Sequence, residues 1–148
     1  MSLAGTSPLR PVAAPGPAGI SELHFAAGIP GFPEARHFSL RRWGPEEASP
    51  FCLLDCRDVT GLRFVAVGPG VFFPWYQPSF GAEVYQAIDA AGPEELVVLV
   101  ILTLRPRPED TTANLLGPVV VNARTGQAVQ AVLSGSGYEA QVPLRPRS

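Results

Sequence analysis

The sequence predicts a mainly β fold in a single domain, with one short helix near residues 79–91. The composition combines 46% hydrophobic and only 16% charged residues with 15 glycines and 17 prolines, which suits short strands joined by tight turns. A chain of 148 residues has the length of one domain. We expect residues 20–144 to form this domain, preceded by a partly ordered Pro/Ala/Gly-rich arm at 1–19 and followed by an Arg/Pro tail at 145–148.

A continuous apolar run at residues 96–104 is the predicted centre of the core. It is too short to cross a bilayer as a helix, and its many β-branched residues favour a strand that is buried on both faces. A second extended run at 116–122 follows Gly117-Pro118, and a proline near the start of a strand is compatible with pairing. The turn at 122–127 then leads into another alternating segment.

The remaining strands are shorter and are separated by turn residues. The loop at 28–33 (Gly-Ile-Pro-Gly-Phe-Pro) predicts a fixed turn from which Ile29 and Phe32 reach the core. Gly61 is expected to adopt a positive φ in a hairpin. The predicted strands are residues 21–25, 37–43, 51–56, 62–67, 116–122, 129–133 and 138–144, with a possible edge strand at 9–13.

The helix and the segment before it have different patterns. Val84, Ala87, Ile88 and Ala91 follow helical spacing, and Gly92-Pro93 supplies a stop. The preceding residues 71–80 are rich in aromatics but are interrupted by Pro74 and Pro78, so they cannot form one regular central strand.

Charge and cysteine content exclude several classes of function. The net charge is −2 and the chain contains no lysine, so no Walker A site or Schiff base is possible, and no basic face for direct nucleic-acid binding is expected. Cys52 and Cys56 lie too far apart on one strand for a disulfide and are interpreted as reduced residues of a cytoplasmic protein. Prolines interrupt the N-terminal stretch, so no secretion signal is predicted. No membrane association is predicted either.

No catalytic, cofactor-binding or metal site is predicted. The two histidines, His24 and His37, each lie beside a phenylalanine and are interpreted as ordinary edge or partly buried residues. With Cys52 and Cys56 they lack the spacing of a zinc site. Residues 134–137 do not match a nucleophile elbow. The paired carboxylates at 46–47, 94–95 and 109–110 are in loops, where they are expected to be solvated.

The aromatic cluster is the strongest candidate for contact with other molecules. It contains Phe72, Phe73, Trp75, Tyr76 and Phe80. Aromatic residues dominate interface hot spots, although burial in the core is their commoner use. We therefore expect most of them to be buried and some to contact a partner.

Several short motifs together resemble the FliW family of flagellar assembly factors. They occur in family order between residues 23 and 144. They are Gly-Ile-Pro-Gly-Phe at 28–32, Pro50-Phe51, Phe-Phe-Pro-Trp-Tyr at 72–76, Ile-Leu-Thr at 101–103, Thr-Thr-Ala-Asn-Leu-Leu-Gly-Pro-Val-Val-Val-Asn at 111–122, Gly126-Gln127 and Leu133.

The resemblance implies that residues 20–144 form a small antiparallel β-barrel-like domain. It also implies a cytoplasmic protein antagonist that is not an enzyme. Members of that family bind CsrA, a dimeric RNA-binding translational repressor, and alternatively bind flagellin, so that flagellin synthesis follows flagellin secretion. The resemblance also makes residues 111–114 a candidate binding edge. The candidate partner-binding residues are therefore Phe72, Phe73, Trp75, Tyr76, Thr111, Thr112 and Asn114.

This chain departs from the family pattern in three respects. Four prolines obscure the first barrel strand, the net charge is close to neutral, and Trp75 stands where relatives often carry an acidic residue.

Two other readings remain open. A small β-barrel module for a ligand or cofactor would contain a deep, closed apolar cavity, whereas solid packing by Leu99, Ile101, Val119 and Val121 would count against it. A hydrolase would have a polar cleft at His24 or His37. Separately, the Asn114 side chain is expected to cap backbone groups of a tight loop.

Overall fold

The structure is a computed structural model, and it describes residues 19–44 and 49–144. Most of the predicted arm at 1–19, with its possible strand at 9–13, lies outside the described residues. The predicted tail at 145–148 and the carboxylate pair at 46–47 lie outside them as well. Within the described part of the chain, no helix is long and apolar enough to span a membrane.

Short strands dominate the described residues, with one α-helix, α1 (Ala82–Ala87), and three 3₁₀ helices at Pro69–Val71, Pro93–Glu95 and Pro108–Asp110. The nine strands seen there are β1 (Glu22–Phe25), β2 (His37–Arg42), β3 (Phe51–Cys56), β4 (Arg63–Val67), β5 (Leu96–Thr103), β6 (Thr112–Ala113), β7 (Val119–Asn122), β8 (Gln127–Gln130) and β9 (Val142–Pro143).

Seven strands close into a barrel in the order β5, β4, β3, β2, β1, β8, β7 and back to β5. All of these neighbours are antiparallel except β1 and β8, which pair in parallel through His24 with Gln127 and Phe25 with Ala128. The two-residue strands β6 and β9 extend the sheet beside the end of β5. The predicted mainly β, barrel-like fold with one short helix is therefore confirmed.

Strand β5 is the centre of this arrangement. One of its edges pairs with β4 at residues 100–102, and the other pairs first with β7 at 96–99 and then with β6 at 102–103. Val97, Leu99 and Ile101 pack in the barrel interior, whereas Val100 and Leu102 pack in a second cluster outside it. Because both faces are covered, β5 lacks polar alternation, as the sequence predicted.

The barrel interior is filled by large apolar side chains. Phe25 and Phe38 pack edge to face with their ring centroids 5.4 Å apart. Leu99, Val119 and Val121 are almost completely buried in the same cluster, and Ile101 packs against it. This solid packing counts against the reading of the barrel as a ligand-binding cavity.

The cluster outside the barrel is called the outer cluster below. It covers the exterior face of β3, β4 and β5 and receives side chains from the aromatic segment and from the loop after β6. Its buried members are Leu53, Val65, Val67, Phe73, Tyr76, Val100, Leu102, Ala113 and Leu115.

Helix α1 is shorter than predicted. The Asn122 side chain binds the backbone that directly follows its last residue. The Asn122 side chain is fully buried. Its Nδ2 donates to the carbonyls of Ile88 (3.0 Å) and Asp89 (3.1 Å), and its Oδ1 accepts from the Arg124 N–H (2.8 Å). Asp89 has a φ of 54°, a left-handed conformation that ends a helix. These contacts stop α1 before Ala91 and join it to β7.

The loop at residues 28–33 is a tight turn, as predicted, but only one of its two apolar residues enters the core. Ile29 is buried, whereas the side chain of Phe32 is 39% exposed. The prediction that Phe32 reaches the core is therefore wrong. The backbones of Ile29 and Phe32 exchange hydrogen bonds of 3.2 and 2.8 Å, and this bridge turns the Phe32 side chain outward.

Replacing Gly28 with Ala should destabilise this turn more than the same change at Gly31. Both glycines have positive φ, 73° and 87°, so both alanines are strained. A Cβ on Gly28 would also meet the carbonyl oxygens of Phe32, at 2.7 Å, and of Pro33, whereas a Cβ on Gly31 meets nothing within 4 Å. The difference in Tm between the two variants measures the cost of the steric clash at residue 28, because the strain from positive φ is common to both. An equal loss of Tm in both would contradict the close contact between a Cβ at residue 28 and the two carbonyl oxygens.

A second tight connection joins β3 to β4 and carries Asp58. Its Oδ2 accepts hydrogen bonds from the N–H groups of Arg36 (2.8 Å) and His37 (2.6 Å), and its Oδ1 lies 3.3 Å from Nδ1 of His37. These hydrogen bonds, led by the one from the His37 N–H, lower the pKa of Asp58. The carboxylate therefore ties this connection to the start of β2.

Asp58→Asn should lower thermal stability at neutral pH and have less effect in acid. The folded-state pKa of Asp58 lies below its unfolded value, so the ionised carboxylate stabilises the fold above the ordinary aspartate pKa of about 3.9. This contribution is lost as the pH falls through the folded-state pKa. Tm measured between pH 7 and pH 3 should show the difference from the parent protein narrowing. Glu34→Gln, at an exposed carboxylate near Arg36, is the control, and a pH-independent difference for Asp58→Asn would refute the interpretation.

Candidate partner-binding surface

The aromatic segment after β4 covers the outer cluster without forming a strand. It begins in the 3₁₀ helix Pro69–Val71, and Pro74 and Pro78 keep it irregular, as predicted. Phe73 and Tyr76 are buried, Phe72 is half-buried, and Trp75 is 58% exposed. Among the predicted aromatic candidates, Trp75 therefore offers the largest surface to a partner, and the others support it from beneath.

Tyr76 connects this segment to the loop after β6. Its phenolic oxygen donates a hydrogen bond of 2.7 Å to the carbonyl of Leu115. Burial raises the pKa of Tyr76, and the neighbouring Tyr138 raises it further, so the phenol remains a neutral donor. The two stretches that the sequence singled out separately are thus joined by one buried hydrogen bond.

Trp75 is held between rings of the segment and one ring from the C-terminal part of the domain. Phe73 and Tyr76 meet it edge to face at centroid distances of 5.8 and 6.4 Å. Tyr138 stacks on it at 6.5 Å with 28° between the planes. The Tyr138 oxygen also accepts a hydrogen bond of 3.2 Å from the Gln77 N–H. The sequence prediction missed Tyr138, because no local pattern indicates that it meets Trp75.

The stretch at 111–114 does not form the open binding edge that its sequence suggested. In β6, Thr112 pairs with Thr103 of β5 on one side and with Pro143 of β9 on the other, so a partner strand cannot add there. Thr111 is buried, and Thr112 is half-buried with its hydroxyl oxygen buried and without a hydrogen-bond partner. Any contact with a partner must use side chains rather than a free strand edge.

Asn114 caps the loop after β6, as predicted. Its Oδ1 accepts a hydrogen bond of 2.9 Å from the N–H of Gly117. Its own N–H donates to the carbonyl of Ile101 at 2.9 Å. Gly117 in turn receives a 2.9 Å hydrogen bond from the side chain of Gln130 on its carbonyl. This loop positions Leu115 under the aromatic segment.

Two surface grooves lie beside these residues. The first, called the Trp75 groove, has a volume of about 460 Å³ and is lined by Trp75, Leu115, Tyr138, Glu139, Val142 and the turn at 136–137. The second, called the Trp43 groove, has a volume of about 340 Å³ and is lined by Trp43, Phe51, Val65, Leu102, Leu104, Arg105, Pro108, Thr111 and Leu144. Both grooves border the outer cluster.

The Trp43 groove contains exposed apolar residues that the sequence prediction did not select. Trp43 is 40% exposed and Leu104 is 52% exposed. Each directly follows a strand, β2 or β5, where alternation no longer decides which side a residue faces. Of the predicted partner-binding residues, Thr111 lies in this groove and Trp75 lies in the other.

The histidines lie together on the surface, away from these grooves. His24 and His37 pair across β1 and β2, and their rings stack with centroids 4.7 Å apart. Both are exposed, and Asp58 contacts His37. Within residues 19–44 and 49–144, no group of three or more His, Cys, Asp or Glu residues is arranged to hold a metal ion.

Comparison with known proteins identifies the family. The family model described as "FliW protein" matches residues 17–144, which is most of the chain. The chain belongs to the FliW family. The flagellar assembly factor FliW of Geobacillus kaustophilus is 34% identical over 124 residues, covering 84% of both chains. The FliW of Bacillus subtilis is 34% identical over 120 residues, covering 81% of this chain and 82% of the relative.

The fold agrees with a FliW structure that has already been solved. The crystal structure of a flagellar assembly factor FliW superimposes with a TM-score of 0.79 at 30% identity, covering 86% of this chain and 88% of the other. The closed barrel, the short helix and the strand order thus belong to a FliW domain. The predicted membership of this family is confirmed.

Asn114→Leu should destabilise the FliW loop that supports the Trp75 groove. The substitution leaves the Gly117 N–H without its acceptor in a partly buried site, which costs about 1 to 3 kcal/mol of unfolding free energy. Asn114→Asp keeps an acceptor at this position and is the matched control. Chemical denaturation of both variants gives the comparison. Unchanged stability of the Leu variant would mean that Asn114 has no architectural role.

Proposed function

We propose that this protein is a non-enzymatic cytoplasmic regulator of flagellar assembly that binds a CsrA-type translational repressor and, alternatively, flagellin. Membership of the FliW family supports a role in flagellar assembly. The proposal adds two protein partners that compete for one small domain. In this role the protein needs no cofactor and makes no direct contact with nucleic acid.

The observation that carries the proposal is the exposed apolar surface over the outer cluster. Trp75, Leu104 and Trp43 are exposed there, on the outside of a barrel whose interior is filled. Exposed apolar patches with a polar rim mark protein–protein contacts, and tryptophan is a frequent interface hot spot. The grooves are open to the surface and suit segments of partner proteins better than an enclosed small molecule.

Both grooves lie on the outer cluster, and this gives a physical basis for competition between the repressor and flagellin. Leu115 of the Trp75 groove and Leu102 of the Trp43 groove belong to the same outer cluster. A partner that repacks this cluster from one groove changes the surface offered in the other, and a partner large enough to cover both excludes the second directly. A coupling of about 1 to 3 kcal/mol changes affinity roughly 5- to 150-fold.

Electrostatic repulsion has a smaller role in the release of RNA from the repressor. The chain carries 11 basic and 13 acidic residues, so a net charge of −2 produces only a weak field at physiological ionic strength. Steric or conformational exclusion of RNA is therefore favoured for this member. RNA is displaced if the protein binds the RNA-free repressor more tightly than the RNA-bound form.

Direct binding measurements test the proposal. Purified protein should bind the CsrA-type repressor and flagellin from the same organism in separate calorimetric titrations. Added flagellin should release the repressor from a preformed complex, and the released repressor should recover its RNA affinity. Binding to neither protein would remove the proposal, and simultaneous binding of both without loss of affinity would remove the competition.

A surface variant distinguishes the outer-cluster side from the rest of the barrel. Leu104→Ser removes an exposed apolar side chain from the Trp43 groove and should weaken at least one partner about tenfold. Val132→Ser is the matched control, because Val132 is similarly exposed, at 60%, but lies beside α1 and lines neither groove. Equal effects of the two variants would mean that the partners do not bind at the outer cluster.

A further inference from the structure

We propose that the Trp75 groove binds an arginine side chain presented by an extended segment of the CsrA-type repressor. This inference rests on the proposed function and adds the chemistry by which one of the two partners is recognised. It depends on three points: a fixed aromatic surface, a carboxylate beside it that forms no ion pair with a described residue, and the charge expected of an RNA-binding partner.

The aromatic surface is held in place before any partner arrives. Trp75 stacks against Tyr138 and is supported at its edges by Phe73 and Tyr76. Tyr138 is itself fixed, since its oxygen accepts from the Gln77 N–H and its own N–H donates 3.1 Å to the Ser136 hydroxyl. More than half of the Trp75 side chain nevertheless remains exposed. A rigid, exposed indole loses little conformational entropy when a ligand stacks on it.

Glu139 supplies a carboxylate at the same groove. Its carbonyl accepts hydrogen bonds from the N–H groups of Leu115 (3.0 Å) and Leu116 (3.1 Å), so its backbone is anchored while its side chain is exposed. Asp55, Glu22 and Glu95 each pair with an arginine, but no described residue forms an ion pair with Glu139. The described lining of the groove contains no basic residue either.

An arginine fits these groups better than other side chains. Its planar guanidinium can stack on the indole face and simultaneously donate to a carboxylate at the rim. Val142 is only partly buried and offers apolar surface for the methylene stem. A lysine has no plane to stack, and an acidic side chain would be repelled by Glu139. The volume of about 460 Å³ accommodates one such side chain with the backbone that carries it.

The repressor, rather than flagellin, is the partner expected to supply this arginine. A protein that binds RNA must carry clustered arginine and lysine to contact phosphates. Such a surface is complementary to a groove in which the charged residue of the described lining is a glutamate. Complementary charge of this kind determines partner choice and register.

Calorimetric titrations of the full-length protein with the repressor test this inference. Trp75→Ala should raise Kd about 10- to 30-fold, whereas Trp75→Phe, which keeps an aromatic face, should stay within about threefold of the parent. Glu139→Gln should raise Kd about 3- to 10-fold and make binding less dependent on salt, because one charge pair is removed. Thermal unfolding of all three variants is the folding control, and each should unfold cooperatively at a Tm close to that of the parent protein.

A second readout follows the groove directly. The chain has two tryptophans, so in a Trp43→Phe background the emission of Trp75 alone is observed. Binding of the repressor should shift this emission. Flagellin should displace the repressor without itself occupying the Trp75 groove, so the emission should return to that of the free protein. If the parent protein does not bind the repressor, both the proposed function and this inference fail. If it binds, but Trp75→Ala and Glu139→Gln leave Kd and its salt dependence unchanged, only this inference is overturned.

Discussion

The double coverage of β5 is the constraint on which the rest of the domain depends. Its inward side chains complete the barrel core, and its outward side chains form the base of the outer cluster. One edge of this strand is occupied by β4, and the other is shared between β7 and β6. A polar residue on either face would leave a buried group without a hydrogen-bond partner, so both the closed barrel and the surface that carries the grooves depend on this one apolar run.

Much of the fold could be predicted because the longer strands have a recognisable pattern of apolar residues in the sequence. The β3–β4 hairpin and β5 combine apolar periodicity with clear turn residues such as Gly61, whose φ is 83°. The short strands β6 and β9 could not be delimited in this way, since two residues have no periodicity and their pairing is decided by distant partners. The end of α1 depends on a side chain from β7, namely Asn122, which no helix-local signal reveals. Tertiary contacts therefore determine the element boundaries.

The candidate surface was only partly visible in the sequence. The aromatic segment and the loop at 111–117 could be selected from residue type and resemblance. The sequence did not show which of their residues are buried and which are exposed. Tyr76 and Thr111 face inward, while Trp75 faces solvent. Tyr138 and Glu139 lie more than 60 residues from Trp75 in the chain and join it only because β9 and the preceding turn return beside β6. A groove formed by distant segments has no local sequence signature, even when each residue is an ordinary interface type.

Among the described strands, the one parallel pairing also affects how the protein can be made. His24 of β1 meets Gln127 of β8, roughly 100 residues later in the chain, whereas β2 to β5 join neighbours that follow one another closely. During synthesis on the ribosome the early strands can assemble as a meander, but their free edge has no partner until β8 has emerged. Such distant contacts also carry the largest loop-closure entropy. The nascent chain therefore keeps an open sheet until β8 has been synthesised.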